Sequence, residues 1–407
     1  MTSTRKRQFH SRTYANEVLP NISLSGKTIA ITGTTSGIGV ETARALVAKG
    51  AHLVMMNRNV VESEKQKKGF MEEHPGAHID IVQCDLNSLA SVRKAGETYL
   101  EMGWQVLSSS DKKFAPISMP NKMIAILPLH GLILNAGVMG PATKMTSDGF
   151  EAHFGINHVA HFMTDAKGAH LVMMNRNVVE SEKQKKGFME EHPGAHIDIV
   201  QYDLNSPIIT TLALISTEAQ FFTFLSFLLQ SLLPVLRYSA PSRLVILSSD
   251  LSKHSSVKPE YSMDRKLDTL CPKQANKNFF RLYACSKMCN MLVAFKVHRD
   301  EYSNGITTYS VHPGSGVRTE LNRDSGVAGL KNFLMTPFTK NASQEAATSV
   351  YCVAHPEVRE ASGRYWESCW DDEKSLDKKV ARDEELQDAL WKRTADIISE
   401  WQGKTRM

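Results

Sequence analysis

A glycine-rich stretch near the amino terminus constrains the fold more than any other part of this sequence. KTIAITGTTSGIG, from Lys27 to Gly39, predicts a buried strand, a tight turn and the start of a helix, which continues as VETARALVAKG with apolar residues at helical spacing. Glycine lets the backbone turn tightly and approach a pyrophosphate at a helix N-terminus. Because the turn follows a strand and opens a helix, it predicts dinucleotide binding in an α/β, Rossmann-type doubly wound parallel sheet. The alternative is a tight turn without a ligand. The residues assigned to this turn are Gly33, Thr34, Ser36, Gly37, Ile38 and Gly39.

The end of the next predicted strand, HLVMMNRN, indicates which dinucleotide binds. The second strand of such a sheet ends beside the adenine ribose, where an acid would favour a free 2′-hydroxyl. This chain has Asn57 and Arg58 instead. Asparagine carries no repelling charge, and a guanidinium can pair with a phosphate. The sequence therefore favours NADP(H), with NAD(H) as the alternative and a surface arginine as the simpler interpretation of Arg58.

Two further strand ends are predicted to contact the dinucleotide. HIDIVQ leads through Cys84 to Asp85 and Leu86, which are placed to contact the adenine. LHGLILNAG ends in Asn135, Ala136 and Gly137, which are predicted cofactor-binding residues.

A tyrosine and a lysine four residues apart are the candidate catalytic pair. RLYACSKMCNMLVAFKVH has a strong helical pattern, which places Tyr283 and Lys287 on one face. An ammonium beside a phenol is expected to lower the phenol pKa and make it a usable acid and base. The strand SRLVILSSD brings Ser248 and Ser249 to its carboxyl end. Tyr-x-x-x-Lys alone is usually a solvated helix face, but its order after the glycine turn, NAG and the serines favours catalysis.

Taken together, TGTTSGIG, NAG, GINHVAHF, VILSS, YACSK and HPG resemble the short-chain dehydrogenase/reductase family. The resemblance extends from about Ser25 to Tyr365, and MMNRN and HPGSGVRTEL resemble the branch of WW-domain-containing oxidoreductases and retinol dehydrogenases. Residues 1–24 contain no tryptophan, so no WW domain is expected there. One departure is Leu134, where the family often has a second asparagine.

The resemblance implies an enzyme that interconverts an alcohol and a carbonyl on a small apolar substrate, such as a retinoid, steroid or lipid-like molecule. It implies that Tyr283 transfers the proton and that Ser249 binds the substrate oxygen. Lys287 would bind the nicotinamide ribose and Asn157 would hold a water that links Lys287 to solvent. Pro313, Gly314 and Thr319 would lie near the carboxamide end of the nicotinamide.

Composition excludes some partners and compartments. The chain is 42% hydrophobic and 22% charged with a net charge of +5, as in ordinary soluble proteins, and it has no basic stripe for nucleic acid. The six cysteines form no CxxC pair, which favours packing in a reducing compartment. We expect a flexible basic leader, no secretory signal, and a cytoplasmic rather than mitochondrial or membrane-associated protein.

The apolar run from Ile208 to Leu236 is predicted to be a buried helix, because Glu218, Gln220 and Gln230 interrupt it.

A near-perfect duplication interrupts the predicted domain. Residues 48–88 recur as 166–206, and only Cys84 against Tyr202 differs. Such identity at surface positions indicates recent copying rather than structural selection. The second copy has no glycine turn before it, so Asn175 and Arg176 are given no cofactor role. Residues 105–127 and 165–230 are interpreted as insertions, hypothetically retained non-coding sequence and a duplicated exon.

The remaining predictions concern the helix after the insertion and the chain's assembly. The second insertion would interrupt the predicted helix that carries Asn157, so a catalytically impaired scaffold with the same fold is the alternative function. The same interruption would weaken the subunit interface of a homo-oligomer. His153, His158 and His161 lack a metal-ligand pattern and are predicted to be surface or packing residues, with no metal site. The predicted organisation is a leader at 1–24, one domain at 25–365 and a helical extension at 366–407. In that extension Leu386, Leu390, Ile397 and Trp401 share a face, which favours a packing helix over a substrate lid.

Overall fold

The computed structural model describes seven parts of the chain: residues 8–110, 127–162, 170–175, 196–201, 228–274, 278–314 and 340–404. Most of the two predicted insertions and Thr319 lie outside these described residues.

The main sheet has eight strands and confirms the predicted α/β fold. Their order across the sheet is β10-β9-β8-β7-β4-β1-β2-β3, and all neighbours are parallel except β9 and β10. The strands are β1 Thr28–Thr32, β2 His52–Asn57, β3 Ile79–Gln83, β4 Gly131–Leu134, β7 Ser242–Leu247, β8 Ile306–His312, β9 Arg364–Glu367 and β10 Trp370–Asp371. The chain reverses its direction of travel across the sheet between β1 and β4. Ligands of doubly wound proteins bind at the carboxyl ends of the strands beside such a point.

Helices cover both faces of this sheet. Their bounds are α1 Gly37–Val47, α2 Val60–Glu73, α3 Leu89–Ser110, α4 Ala152–Phe154, α5 Ala160–Phe162, α6 Leu228–Tyr238, α7 Met263–Leu270, α8 Phe279–Glu301, α9 Ala342–Ala354, α10 Lys378–Ala381 and α11 Glu384–Lys404. A π-helical turn, Gly155–Val159, joins α4 to α5, and we refer to residues 152–162 as the Asn157 helix.

The strand sequences explain why two helical layers are needed. Side chains alternate between the two faces of a strand, and β1 is apolar at every position that reaches either core. Ile29 and Ile31 pack with α1 and α9, whereas Ala30 packs with the opposite layer, which includes α3, α6, α8 and α11. A strand buried on both faces is typical of a parallel sheet.

The first described residues pack into the fold. Phe9, Val18 and Leu19 are buried in the core beneath α9, and the Phe9 ring makes an edge contact with Tyr351 at a centroid distance of 5.4 Å. The prediction of a flexible leader is therefore wrong for residues 8–24, because its apolar side chains are buried in the same core cluster as those of α9.

The copied segment forms a separate pair of strands. β5 His170–Asn175 and β6 His196–Gln201 pair in parallel as a two-stranded sheet, with His170 opposite His196. This register repeats that of β2 and β3, in which Leu53 lies opposite Ile79. Within the described residues β5 and β6 do not join the main sheet. The copied sequence therefore forms the same strand pair as the original but adds no strand to the main sheet.

The Asn157 helix contacts the first helix described after the copied segment. α5 and α3 both pack against α6, and Leu229, Leu232, Leu233 and Leu236 of α6 belong to the core on this face of the sheet. The start of the predicted insertion at 165–230 lies outside the described residues, but its end is wrong, because residues 228–230 already belong to α6.

The carboxyl-terminal helix packs into the domain as predicted. Leu386, Leu390 and Ile398 of α11 are fully buried, whereas Ile397 and Trp401 are only partly buried. The buried face of α11 therefore contains Ile398 where the sequence predicted Ile397. Trp391 contacts Phe162 edge-on at 4.6 Å, so α11 supports the Asn157 helix. None of the helices in the described residues combines the length and apolarity needed to cross a membrane.

Candidate active site

The glycine turn connects β1 to α1 in a conformation that only glycine accommodates. Gly33 has a φ of +75°, and a Cβ on Gly39 would lie 1.8 Å from the carbonyl oxygen of Gly33. Any side chain at Gly39 would separate the turn from the helix that it opens. The structure therefore explains the two glycines by close backbone packing as well as by the predicted ligand.

The amino end of α1 suits an anion. Its N-cap, Ser36, makes no side-chain capping hydrogen bond and the first turn contains no acid. In contrast, α2, α7, α8 and α9 are each capped by a side chain, namely Asn59, Ser262, Asn278 and Asn341. The first amides of a helix need acceptors and carry partial positive charge. The turn therefore fits the pyrophosphate of a dinucleotide.

Asn57 is buried and holds the glycine turn from inside the protein. Its Oδ1 accepts a hydrogen bond from the Thr34 amide at 2.7 Å, and its Nδ2 donates to Thr34 Oγ1 at 2.7 Å and Ser63 Oγ at 2.9 Å. The side chain thus links the turn to α2. Arg58, the next residue, is exposed at the carboxyl end of β2. The predicted contact of Asn57 and Arg58 with the ribose stays a prediction, and Arg58 is the better placed of the two.

The ends of β3 and β4 border the same side of the sheet. Asp85 accepts a hydrogen bond from the Asn87 amide through Oδ1 at 3.0 Å, and Leu86 is buried beside it. Asn135 donates through Nδ2 to the carbonyl oxygens of Thr32 and Gly33, at 2.9 and 3.0 Å. These bonds join the end of β4 to the glycine turn, so Asn135 has a clear positioning role.

Thr32 also holds the end of β4, a role that sequence reasoning missed. Its Oγ1 accepts hydrogen bonds from the amides of Asn135 and Ala136, both at 3.0 Å, and lies 3.0 Å from His161 Nε2. The signal was a threonine directly before the first glycine, but its partners come from distant parts of the chain. His161 and His158 are buried, which confirms them as packing histidines.

Asn157 lies in the π-helical turn and is fully buried. Its Oδ1 accepts from the Val138 amide at 2.7 Å, and its Nδ2 donates to the Val138 carbonyl and to Ser286 Oγ, both at 3.0 Å. Ser286, also missed from the sequence, donates in turn to the Tyr283 carbonyl at 2.8 Å. Asn157 therefore connects the loop after β4 to the helix that carries the catalytic pair.

The predicted catalytic residues meet at the carboxyl end of β7. The Ser249 side chain lies close enough to Tyr283 to lower the pKa of its hydroxyl, and Lys287 Nζ donates to the Leu247 carbonyl at 3.1 Å. A Cβ on Gly137 would lie 3.1 Å from Asn157 Oδ1 and 3.4 Å from Lys287 Nζ. The backbone of Gly137 thus lies against both side chains, and all four predicted catalytic residues belong to one cluster.

Burial determines the protonation of this cluster. Burial lowers the pKa of Lys287 to about 8. Burial also raises the pKa of Tyr283, and the Ser249 side chain opposes that rise. The expectation that Lys287 lowers the tyrosine pKa is therefore wrong for this arrangement, in which Lys287 Nζ lies 5.7 Å from the centre of the Tyr283 ring. Tyr283 is consequently a neutral phenol near pH 7, which is the form that can donate a proton.

A cluster around Lys340 completes the described edge of the site. Pro313 and Gly314 follow β8, and Lys340 Nζ donates to the Pro313 carbonyl at 3.4 Å and to Ser368 Oγ at 2.8 Å. Gly314 has a φ of +128°, a backbone conformation that favours glycine, and the Lys340 side chain fills the space where a Cβ would lie. Thr319, the last predicted cofactor residue, lies outside the described residues.

Comparisons with known proteins agree with this arrangement. Residues 27–104, which include the glycine turn and Asn57, match the family model described as short chain dehydrogenase. A WW domain-containing oxidoreductase from Danio rerio is 29% identical over 394 residues, covering 97% of this chain and 74% of that protein. Retinol dehydrogenase 12 from Homo sapiens is 27% identical over 380 residues, covering 93% of this chain and 88% of that protein. The chain is therefore similar to short-chain dehydrogenases in its amino-terminal part and to these two oxidoreductases over nearly all of its length.

A solved structure supports the fold of this chain. An uncharacterised protein from Mycobacterium paratuberculosis aligns with a TM-score of 0.52 at 17% identity, covering 94% of this chain and 97% of that one. The predicted resemblance to short-chain dehydrogenases is confirmed, and the names of the relatives support an oxidoreductase. The glycine turn, the uncapped α1 and the Gly137 backbone fit the nicotinamide dinucleotide that such an enzyme uses.

Proposed function

We propose that this dehydrogenase interconverts an alcohol and a carbonyl on a small apolar substrate and prefers NADP(H). The observation that carries the proposal is the meeting of Tyr283, Ser249, Lys287 and Asn157 beside the Gly137 backbone. Proton transfer to oxygen requires a phenol that is held in place and protonated, and this cluster provides one.

Each residue contributes one action at the reacting oxygen. A bound nicotinamide accepts or supplies the hydride. The Tyr283 hydroxyl gives its proton to the carbonyl oxygen in reduction and takes it back in oxidation. Ser249 donates a hydrogen bond to the same oxygen and holds it beside Tyr283. Lys287, anchored on the Leu247 carbonyl, would hold the ribose of the bound nicotinamide beside Tyr283.

The preference for a 2′-phosphate rests on Arg58. The Asn57 side chain is buried and bound to Thr34 and Ser63, so it presents no charge at this end of β2. Arg58 is exposed and can form paired hydrogen bonds with a phosphate. Arg58→Glu should weaken NADPH binding by about 10–100-fold and favour NADH, since a charge-assisted bond is replaced by repulsion. Arg359→Glu, which reverses another exposed arginine, is the matched control.

An apolar substrate is supported by two aromatic rings at the start of α8. Phe279 and Phe280 are 41% and 55% exposed and stack with their centroids 4.2 Å apart. Phe279 precedes Tyr283 by one helical turn and lies next to Gly140, where a Cβ would be 3.8 Å from its ring. Exposed rings on the same helix face as the proton donor suit an apolar chain or ring system. The printed names of the relatives include a retinol dehydrogenase, which agrees with that substrate class.

The test measures NADPH and NADH oxidation by the purified full-length chain against aldehydes and ketones of increasing apolar size. We expect turnover that improves with apolar size and is lost in Tyr283→Phe, while Tyr302→Phe at the far end of α8 stays active. Phe279→Ala should raise KM most for the largest substrates. Retained NADPH binding without turnover by the wild-type chain would support the alternative, a scaffold with the same fold. A cytoplasmic location and a homo-oligomer remain predictions.

A further inference from the structure

Two histidines and an aspartate form a cluster at the edge of the sheet opposite the catalytic residues. His52 begins β2, His78 precedes β3 and Asp80 is the second residue of β3. The catalytic residues follow the carboxyl ends of the parallel strands, whereas this cluster lies at their amino ends. The dehydrogenase reaction therefore gives it no role.

The geometry of the cluster matches that of metal ligands. The His52 and His78 rings are parallel within 7° at a centroid distance of 3.7 Å. His52 Nε2 lies 2.7 Å and His78 Nε2 lies 3.8 Å from the same oxygen, Asp80 Oδ2. One ligand atom from each residue lies within 4.8 Å of the other two. Ligand atoms around tetrahedral zinc are separated by about 3.3 Å. Because an imidazole coordinates in the plane of its ring, one of the two stacked rings must rotate before the three residues fill three of the four positions.

The surrounding contacts orient the first imidazole. His52 Nδ1 lies 3.4 Å from Thr28 Oγ1, on the neighbouring strand β1. In a metal-bound tautomer Nδ1 would carry the proton and donate it to that hydroxyl, leaving Nε2 free to coordinate. Histidine ligands are usually held in this way by a hydrogen bond on the second nitrogen. Because β1, β2 and β3 are adjacent, the strands fix both His52 and Asp80.

The ionisation of the cluster also suits a cation. Burial, followed by repulsion from His52, lowers the pKa of His78, so its imidazole is neutral at pH 7. In the metal-free chain the hydrogen bond from His52 Nε2 lowers the pKa of Asp80, and a metal would take the place of the proton in that bond. The positive charge of Lys67 on α2 also acts on His78 and Asp80, and it would repel a bound cation only weakly. A neutral imidazole and a carboxylate are ligands that Zn²⁺ and similar divalent transition metals prefer.

We propose that His52, His78 and Asp80 bind a divalent transition metal of the zinc class, which links β2 to β3 at the edge of the sheet. Three protein ligands leave one position for water. The bound metal would stabilise this edge, since a ligand that binds only the folded chain raises stability by mass action. The site lies away from the reacting oxygen and would leave catalysis unchanged.

The test titrates the untagged full-length chain with Co²⁺, whose tetrahedral complexes absorb visible light, and then displaces it with Zn²⁺. The copied segment also contains His170, His196 and Asp198, with the same spacing and strand register. Because these residues could bind a second metal ion, the experiment compares the number of Co²⁺ ions bound per chain by each variant with the number bound by wild type.

We expect His78→Ala and the isosteric Asp80→Asn each to weaken binding at one equivalent at least about 10–100-fold, relative to wild type. Zn²⁺ should raise the unfolding temperature of wild type more than that of either variant. His74→Ala, which removes a nearby histidine outside the cluster, should behave as wild type. The proposal is overturned if wild type shows no tetrahedral Co²⁺ spectrum, if both variants retain every equivalent, or if His74→Ala loses as much metal.

Discussion

Lys287 Nζ lies 3.1 Å from the carbonyl oxygen of Leu247, the last residue of the strand that leads to Ser249. This contact places a buried ammonium against the end of β7 and next to Gly137. Asn290 Nδ2 donates to the same carbonyl at 3.0 Å, so one backbone oxygen serves two side chains of α8. The helix is thereby held against the strand at the point where proton transfer is proposed.

Burial of Lys287 predicts an unusual dependence of stability on pH. Its folded pKa, about 8, is below its ordinary value of 10.5, so the unfolded chain binds more protons between these two values. The free energy of unfolding should therefore rise with pH across this window, by up to about 1.4 kcal/mol per pH unit. Below the window both states are protonated and the full cost of burying the charge is present. Urea unfolding of wild type and Lys287→Met at several pH values measures the difference, and parallel curves for the two proteins would contradict it.

Replacement of Asn57 should destabilise the glycine turn. Asn57→Leu removes three hydrogen bonds and leaves the Thr34 amide without its acceptor, which should cost about 1–3 kcal/mol of folding free energy. Cofactor binding should weaken as well, because Thr34 belongs to the turn. Asn59→Ala, two residues later, removes only the α2 cap and should cost about 1 kcal/mol. Chemical unfolding together with NADPH titration compares the two, and equal loss of NADPH affinity in both variants would argue against a specific role for Asn57.

A methyl group at Gly137 should reduce turnover more than stability. It would lie 3.1 Å from Asn157 Oδ1 and 3.4 Å from Lys287 Nζ, so these side chains must shift by a few tenths of an ångström. Displacements approaching 1 Å cost about a hundredfold in rate, so Gly137→Ala should lower kcat by about tenfold. Gly69→Ala in α2, where no atom lies within 4 Å of the new methyl, should keep full activity and gain about 0.5–1 kcal/mol. Steady-state kinetics test the pair, and an unchanged kcat in Gly137→Ala would contradict the close approach.

Deletion of residues 163–227 should preserve the candidate site. α5 and α6 lie against one another, and the strands of the copied segment do not join the main sheet within the described residues. The deletion joins Phe162 to Leu228 and creates HVAHFLLQSLLPVLRY, with apolar residues at helical spacing. We expect the shortened chain to keep its thermal unfolding midpoint within a few degrees and to bind NADPH. Aggregation of this variant, with normal folding of the parent, would show that the segment is required.

Much of this site was predictable because its spacing is local. Gly33 and Gly39 belong to one strand–turn–helix, and Tyr283 and Lys287 are one helical turn apart, so chain geometry alone brings each pair together. The strand ends at Asn135 and Ser249 followed from the rule that parallel strands present their carboxyl ends on one edge.

The sequence by itself determined the fold class, the glycine turn and the face that carries Tyr283, since these depend on periodicity and short spacing. Only the tertiary structure decided that Asn57 faces inward to Thr34, that residues 8–24 are packed, and that Tyr283 has a raised pKa. It also decided that His52 and His78 stack beside Asp80. These properties depend on which distant segments become neighbours and on how much water they exclude, and neither quantity is encoded in the spacing of residues along one segment.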